Sequence, residues 1–98
     1  MRRAEILSIL SANRGELQRH YGINPLALFG SLARDEATAA SDVDLLVEFD
    51  RPITLFDLVA VQQRLETLLG VARVDVVIRD SVYPALRDEI LSEAVDVA

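Results

Sequence analysis

The sequence predicts an α/β (α+β) fold in which a small mixed β-sheet is flanked by helices. Two kinds of segment carry this prediction: apolar runs that alternate every second residue, and longer stretches with helical spacing of apolar residues. Glycine or proline separates most of them, and the resulting order is α-β-(α)-β-α-β-α. The short link between the first two strands favours antiparallel pairing. The helix before the third strand is long enough for a parallel crossover, so we expect a mixed sheet.

The N-terminal part predicts a helix from about Ala4 to His20 and then a first strand from Leu26 to Phe29. The helix has apolar residues at helical spacing, and Gly22 lies just beyond its end as a stop signal. Pro25 is expected to open the strand, because a missing N–H is tolerated at that position. The first strand therefore follows the helix after a short turn.

The second strand, predicted from Asp42 to Phe49, is the clearest strand of the chain. Between it and the first strand we expect a short helix at Ser31 to Arg34 and a polar loop over 35–41. Because successive side chains of a strand point to opposite faces, this strand has an apolar face and a mixed face. The apolar face holds Val43, Leu45, Val47 and Phe49, and the mixed face holds Asp42, Asp44, Leu46 and Glu48.

The second long helix is predicted between a capping box and a terminal glycine. Thr54, followed three residues later by Asp57, matches the capping box, and Gly70 matches the residue just after a helix end. Phe56 and Val61 fall outside the main apolar stripe, which would direct them to a partner or to a second layer. The stripe itself is expected to face the core and comprises Leu55, Leu58, Val59, Leu65, Leu68 and Leu69.

The C-terminal part predicts a third strand and a last helix. The strand is expected at Ala72 to Ile78, where apolar and other residues again alternate. The helix is expected to begin at Tyr83-Pro84, because proline is favoured in a first helical turn. Residues 94–98 are expected to form a short strand or to fray. The core contacts of the last helix are expected to be Leu86, Ile90 and Leu91.

The composition limits what the chain can be. Its 98 residues, 51% of them hydrophobic, predict a single domain, 1–98, with one core. No apolar run approaches the roughly 20 residues of a membrane span. The absence of cysteine excludes disulfides and fits a cytoplasmic protein. The net charge of −6 argues against stable nucleic-acid binding, and a single histidine makes a zinc site unexpected.

Three aspartates are the candidate catalytic residues. Asp42 and Asp44 lie two residues apart on a strand, so their carboxylates project from one face and can converge on a cation. Magnesium is the usual cation, held together with waters and substrate phosphates. Asp75 lies among valines, and if its strand runs beside the second it is about 5 Å away on the same face. Three carboxylates there could hold two metal ions for phosphoryl transfer.

Each of these aspartates also has a plainer interpretation. Asp42 and Asp44 are compatible with the solvated start of a strand, since aspartate is common at the ends of elements. Asp75 is compatible with an ion pair to Arg73 or Arg79, because an unpaired carboxylate among valines would be costly to bury. The residues alone leave both interpretations open.

A candidate phosphate site lies at the end of the first strand. Gly30 and Ser31 come between the strand and a predicted helical turn, so backbone N–H groups and the Ser31 hydroxyl can face an anion. Arg34, one turn later, can reach a phosphate. The alternatives are an ordinary Gly-Ser turn, and an exposed ion pair of Arg34 with Asp35 or Glu36.

Taken together, the Gly30-Ser31 turn, Asp42-x-Asp44 on a strand and Asp75 on the next core strand resemble the minimal nucleotidyltransferases of the DNA polymerase beta superfamily. The resemblance covers nearly the whole chain. It implies a nucleotidyltransferase fold, similar to the polymerase beta palm, with a mixed sheet flanked by helices. It also implies Mg²⁺-dependent transfer of a nucleoside monophosphate, with ATP the expected donor, to a hydroxyl group with release of pyrophosphate.

The resemblance implies two sets of site residues. Asp42 and Asp44 would bind metal, and Asp75 would be a ligand of the metal that activates the acceptor or its general base. The chain departs from the family pattern GSxARG at Asp35, where the family usually has glycine. The nucleotide's phosphates would be held by the turn and the arginine that follows it, namely Gly30, Ser31 and Arg34.

Small stand-alone members of this family resemble the antitoxin half of two-gene modules whose toxin is an all-helical HEPN RNase. The resemblance therefore implies transfer of AMP from ATP to a tyrosine of a partner HEPN toxin. Two alternatives stay open. The chain could be a non-catalytic binding module that neutralises a partner by contact. An aminoglycoside-type transferase with a small-molecule acceptor is disfavoured, because the chain lacks a second domain to form the pocket.

Overall fold

The computed structural model describes residues 2–30, 43–81 and 84–97. The predicted short helix at 31–34, the predicted loop at 35–41 and Tyr83 lie outside these residues. The helices and strands follow in the order α1 (Arg3–Tyr21), β1 (Ile23–Phe29), β2 (Val43–Phe49), α2 (Leu55–Leu69), β3 (Val74–Ile78), α3 (Pro84–Glu93) and β4 (Val95–Asp96). A single 3₁₀ turn at Arg79–Ser81 follows β3. Within the described ranges, no helix has the length and apolar character needed to cross a membrane.

The described strands form one mixed sheet in the order β3-β2-β1-β4. β1 pairs antiparallel with both β2 and β4, whereas β2 and β3 are parallel and are joined by α2. This arrangement confirms the expected mixed sheet, the antiparallel first pair and the parallel crossover. The C-terminal tail takes the strand alternative, because β4 pairs with β1 at Ala27 and Leu28.

Helices cover both faces of the sheet. α1 and α2 pack on one face, where the alternate residues Val43, Leu45 and Val47 of β2 are buried, as the alternation predicts. On the other face Ala27 and Leu46 are buried beneath α3. Burial of these apolar side chains from both sides supplies the main driving force for the fold. The residues of α3 that pack there are Ile90, Leu91 and the adjoining Ala94.

Local sequence fixes both ends of α2. The Thr54 hydroxyl accepts a hydrogen bond from the Asp57 N–H at 3.2 Å, and the Thr54 N–H donates to Asp57 Oδ2 at 2.8 Å. Gly70 ends the helix with φ of 65°, a left-handed conformation that glycine adopts without strain. The predicted capping box and the predicted end of the helix are therefore confirmed.

The predicted core stripe of α2 is wrong in its first turns. Val61 is fully buried (0% exposed) and continues at four-residue spacing to Leu65 and Leu69. Leu55 is 74% exposed instead, and Phe56, which was predicted off the stripe, is 86% exposed. The reason is tertiary, because the described neighbours of α2 cover the face marked by Val61 and leave its first turn uncovered. Sequence spacing alone does not fix this phase.

Three further expectations differ from the structure. β1 begins at Ile23, and Pro25 lies inside it where the pairing register shifts, so its missing N–H leaves no ladder bond unmade. β3 begins at Val74 and not at Ala72. Leu86 is 49% exposed, because α3 meets the sheet through its later turns.

Candidate active site

Two carboxylates lie side by side where β2 and β3 begin. In the parallel register Asp44 is the partner of Asp75, so the two Cα atoms are separated by about one strand spacing, roughly 4.8 Å. Both side chains are half-buried and point to the face that α3 covers further along the strands. The prediction that the third strand places Asp75 beside Asp44 is confirmed.

The end of β1 closes against the same carboxylates. Phe29 is the register partner of Asp44, which places Gly30 immediately beside this aspartate. Gly30 has φ of 77°, and a Cβ atom built on it would collide with Asp44 Oδ2. A left-handed φ and the close approach of a side chain are two separate reasons for glycine at this position. The turn backbone and the carboxylate therefore form one continuous site.

Asp75 has a cationic neighbour on its own strand. Arg73 Nε lies 3.3 Å from Asp75 Oδ1, and the two side chains are 66% and 36% exposed. The ion-pair interpretation of Asp75 is thus realised with Arg73, whereas Arg79 pairs with Glu48 instead. The burial cost expected for a carboxylate among valines does not arise at this exposure. An exposed pair of this kind contributes about 0–1 kcal/mol, so a cation could displace Arg73 at small cost.

The structure describes half of the predicted site. It brings Gly30, Asp44 and Asp75 together at one end of the sheet. The remaining predicted site residues, Ser31, Arg34 and Asp42, lie outside the described residues. Within ranges 2–30, 43–81 and 84–97 no group of three His, Cys, Asp or Glu side chains could hold a metal ion. The two described carboxylates need a further ligand, for which Asp42 stays the prediction.

The donor set fits magnesium better than a softer metal. It consists of carboxylate oxygens, and hard cations such as Mg²⁺ bind one or two carboxylates together with substrate phosphates. Like charges on directly neighbouring strands destabilise a sheet unless a cation compensates them. Asp44 and Asp75 are such a pair, with Arg73 beside Asp75 as a partial counter-charge, and their two carboxylates are suited to a divalent cation.

Two polar side chains that the sequence analysis did not single out reach the strand of Asp75. Gln62 Nε2 donates to the Val74 carbonyl at 3.0 Å, and the Val74 N–H donates to Glu66 Oε2 at 3.1 Å. Both side chains come from α2 and lie one helical turn apart. Their only sequence signal is a polar pair at four-residue spacing beside the buried Val61 and Leu65.

A cleft of about 220 Å³ lies at the opposite end of the same sheet face. Glu48 and Arg79 line it together with side chains of α3 and β4. Glu48 follows Asp44 by four residues on β2, about 13 Å along the strand, and Leu46, which also lines the cleft, lies between them. The cleft is therefore distinct from the candidate site.

Comparison with known proteins agrees with this geometry. The family model described as "Nucleotidyltransferase domain" matches residues 10–97. The protein adenylyltransferase MntA of Thermococcus cleftensis is 40% identical over 93 residues, which cover 95% of this chain and 93% of that protein. Both findings extend over nearly the whole chain.

Two solved structures share the fold. One, assigned to the minimal nucleotidyltransferases, has 42% identity and a TM-score of 0.75, and the match covers 91% of this chain and 93% of that one. The other is an MNT antitoxin in complex with the tri-AMPylated HEPN toxin of Shewanella oneidensis. It has a TM-score of 0.66 over 94% of this chain and 71% of that chain, and at 18% identity it shows the fold alone.

These findings confirm the nucleotidyltransferase fold and the enzyme class that the sequence motifs imply. The family model spans most of the chain, and the MntA relative matches it almost end to end. The chain therefore belongs to the nucleotidyltransferase domain family and, within it, to the MntA-type protein adenylyltransferases.

Proposed function

We propose that this protein transfers AMP from ATP to a tyrosine hydroxyl of a HEPN-type toxin encoded nearby, and so acts as its antitoxin. The observation that carries the proposal is the pairing of Asp44 with Asp75 beside the Gly30 turn. Support for the acceptor comes from the fold shared with the MNT antitoxin whose HEPN partner is AMPylated.

In this proposal the carboxylates and the turn have different roles at the site. Asp44, with Asp42, would hold Mg²⁺, which when bound polarises the phosphates and offsets their charge. The backbone of Gly30 and Ser31 would orient the β- and γ-phosphates, with Arg34 as a further donor. Asp75 would hold a second ion or accept the proton of the acceptor hydroxyl.

The proposed reaction is an in-line displacement at the α-phosphorus of ATP. The acceptor oxygen forms a bond to this phosphorus, and the bond between the α-phosphorus and the oxygen bridging to the β-phosphate breaks. Pyrophosphate leaves with the electrons of that bond, and the hydroxyl proton passes to Asp75 or to a water held there. The products are an AMP-tyrosine ester and pyrophosphate.

The test uses the purified protein, Mg²⁺, α-labelled ATP and the product of the neighbouring gene. The proposal predicts label on that product, located on a tyrosine by mass spectrometry, and no label when EDTA replaces Mg²⁺. A stable complex without label would contradict it and would favour neutralisation by contact. Label on a non-protein acceptor would leave the enzyme class standing and overturn the proposed partner.

A further inference from the structure

The strand that carries Asp75 begins with Val74, whose backbone is hydrogen-bonded to side chains of α2. Among the described strands β3 lies at the end of the sheet and has one neighbour, β2. Both backbone groups of Val74 are nevertheless satisfied, because its N–H donates to Glu66 and its carbonyl accepts from Gln62. Two side chains of one helix thus hold the first residue of an edge strand.

The spacing of the two side chains suits the N–H and C=O groups of a single strand residue. Gln62 and Glu66 lie four residues apart on α2, about 6 Å along the axis, and so project from the same side of the helix. Gln62 presents an N–H donor and Glu66 presents a carboxylate acceptor. These are the two kinds of group that the backbone of a neighbouring strand would present to Val74. Both bonds are partly buried, and the bond to the Glu66 carboxylate is charge-assisted.

This contact agrees with the position of Asp75 in the sheet. The N–H and C=O groups of one strand residue point to the same side, and those of the next residue point to the other side. With Val74 directed to α2, the backbone of Asp75 is directed to β2, where Asp44 is its register partner. A slip of one residue would move the Asp75 side chain to the apolar face of the sheet.

The start of β3 is otherwise held by its pairing with β2 and by the buried side chain of Val74. The segment 71–73 between α2 and the strand is irregular, and the Val74 side chain, which is 0% exposed, anchors the strand from one face. Catalytic groups must be held within about 0.5 Å of their productive positions. The two hydrogen bonds from α2 supply that constraint at the residue next to Asp75.

We infer that Gln62 and Glu66 are positioning residues that hold Asp75 beside Asp44. The inference rests on the proposed function, because the role of Asp75 in adenylyl transfer is what the contact serves. Neither side chain is required to touch a substrate, since both act through the backbone of Val74. Substituting them should therefore affect the carboxylate site more than the fold.

The test compares Glu66→Ala and Glu66→Gln with Gln63→Ala, an exposed position on the same helix. Affinity for Mn²⁺ in the presence of a non-hydrolysable ATP analogue is measured by EPR, together with kcat and KM for ATP. Glu66→Ala should lower Mn²⁺ affinity and kcat by about tenfold or more, the usual effect of removing a supporting contact. KM for ATP should stay within about twofold, because the Gly30 turn holds the phosphates. Glu66→Gln keeps a carbonyl acceptor and should recover most of the Mn²⁺ affinity and most of kcat. Gln63→Ala should match the wild type in both quantities.

Amide hydrogen exchange at Val74 provides a readout that does not depend on catalysis. It should be faster in Glu66→Ala than in the wild type, and Gln62→Ala serves as the second variant if Glu66→Ala does not fold. Faster exchange with unchanged kcat and Mn²⁺ affinity would make the contact purely structural and overturn the inference, while the transferase function would stand.

If the wild type transfers no label, the proposed function fails and Mn²⁺ affinity decides the inference. A tenfold loss of Mn²⁺ affinity in Glu66→Ala that Glu66→Gln restores would support the inference. Equal Mn²⁺ affinities in Glu66→Ala and the wild type would overturn it.

Discussion

Two pairs of charged side chains, one between β2 and β3 and one between β2 and the turn after β3, differ in sign. Where the strands begin, Asp44 lies beside Asp75. Four residues after Asp44 on β2, Glu48 lies beside Arg79, the first residue of the 3₁₀ turn after β3, with Oε1 and Nε separated by 3.8 Å. Strand side chains return to the same face at every second residue, so Asp44 and Glu48 lie on one face of β2. One pair repels and the other attracts.

The difference distinguishes a candidate cation site from a neutral ion pair. Glu48 and Arg79 neutralise each other, and such an exposed pair needs no further group and contributes little to stability. Asp44 and Asp75 are like charges on neighbouring strands, which is unfavourable unless a cation or ligand compensates them. Arg73, 3.3 Å from Asp75, offsets part of its charge. The cleft lies at the neutralised end, so charge and not concavity marks the candidate site.

The largest effect is expected from Asp44→Asn, with Glu48→Gln as its matched control. Each replaces a carboxylate by an amide on the same face of β2. Metal stabilisation of the transferred phosphate is worth several kcal/mol, so Asp44→Asn should lower kcat by roughly a thousandfold. Glu48→Gln should stay within about threefold of the wild type, since exposed pairs contribute little. Steady-state transfer of labelled AMP measures both. Similar losses in the two variants would remove the distinction between the two pairs.

An intermediate effect is expected from Gly30→Ala, with Gly70→Ala as its control. Both glycines have left-handed φ, 77° and 65°, so each substitution should cost about 1–2 kcal/mol of unfolding free energy. They differ in surroundings, because a Cβ at Gly30 meets the Asp44 carboxylate and a Cβ at Gly70 meets nothing within 4 Å.

Gly30→Ala alone should therefore also lower kcat, by about tenfold or more, because it displaces Asp44. Urea unfolding and labelled transfer measure the two quantities on the same preparations. A Gly30→Ala protein as active as Gly70→Ala would show that the approach of Gly30 to Asp44 has no catalytic consequence.

The smallest effect is expected from Arg73→Gln. Its ion pair with Asp75 is exposed, so the unfolding free energy should change by less than about 1 kcal/mol. Removing this neighbour of Asp75 also removes a competitor for the cation, so the Mg²⁺ concentration for half-maximal transfer should fall by about twofold. Urea unfolding and a Mg²⁺ titration of transfer measure both. A loss of more than about 2 kcal/mol would mean that Arg73 serves the fold.

Local signals predict the elements that local interactions determine. The alternation of β2 and the Thr54–Asp57 capping box identify their elements correctly, because each depends on neighbours in sequence. The phase of α2 and the start of β1 could not be predicted in this way. Val61 is buried and Leu55 is exposed because of what packs against the helix, and helical spacing does not contain that information.

The candidate site likewise has features that the sequence predicts and features that it does not. The pairing of Asp44 with Asp75 could be predicted, because a helical crossover makes β2 and β3 parallel neighbours and alternation fixes the face. The roles of Gln62 and Glu66 could not, since a polar pair on a helix is ordinary until β3 is known to be an edge strand. The metal and nucleotide roles stay predictions for all six site residues, Gly30, Ser31, Arg34, Asp42, Asp44 and Asp75.

Thermal unfolding at increasing Mg²⁺ concentration tests most directly whether the like-charged pair is a cation site, and it needs neither nucleotide nor acceptor. At ten times its dissociation constant, Mg²⁺ should stabilise the wild type and Glu48→Gln by about 1.4 kcal/mol, which raises Tm by about 6 °C. Asp44→Asn should gain less than about 1 °C. Equal gains in all three proteins, or a gain lost only in Glu48→Gln, would contradict the assignment of the Asp44–Asp75 end as the cation site.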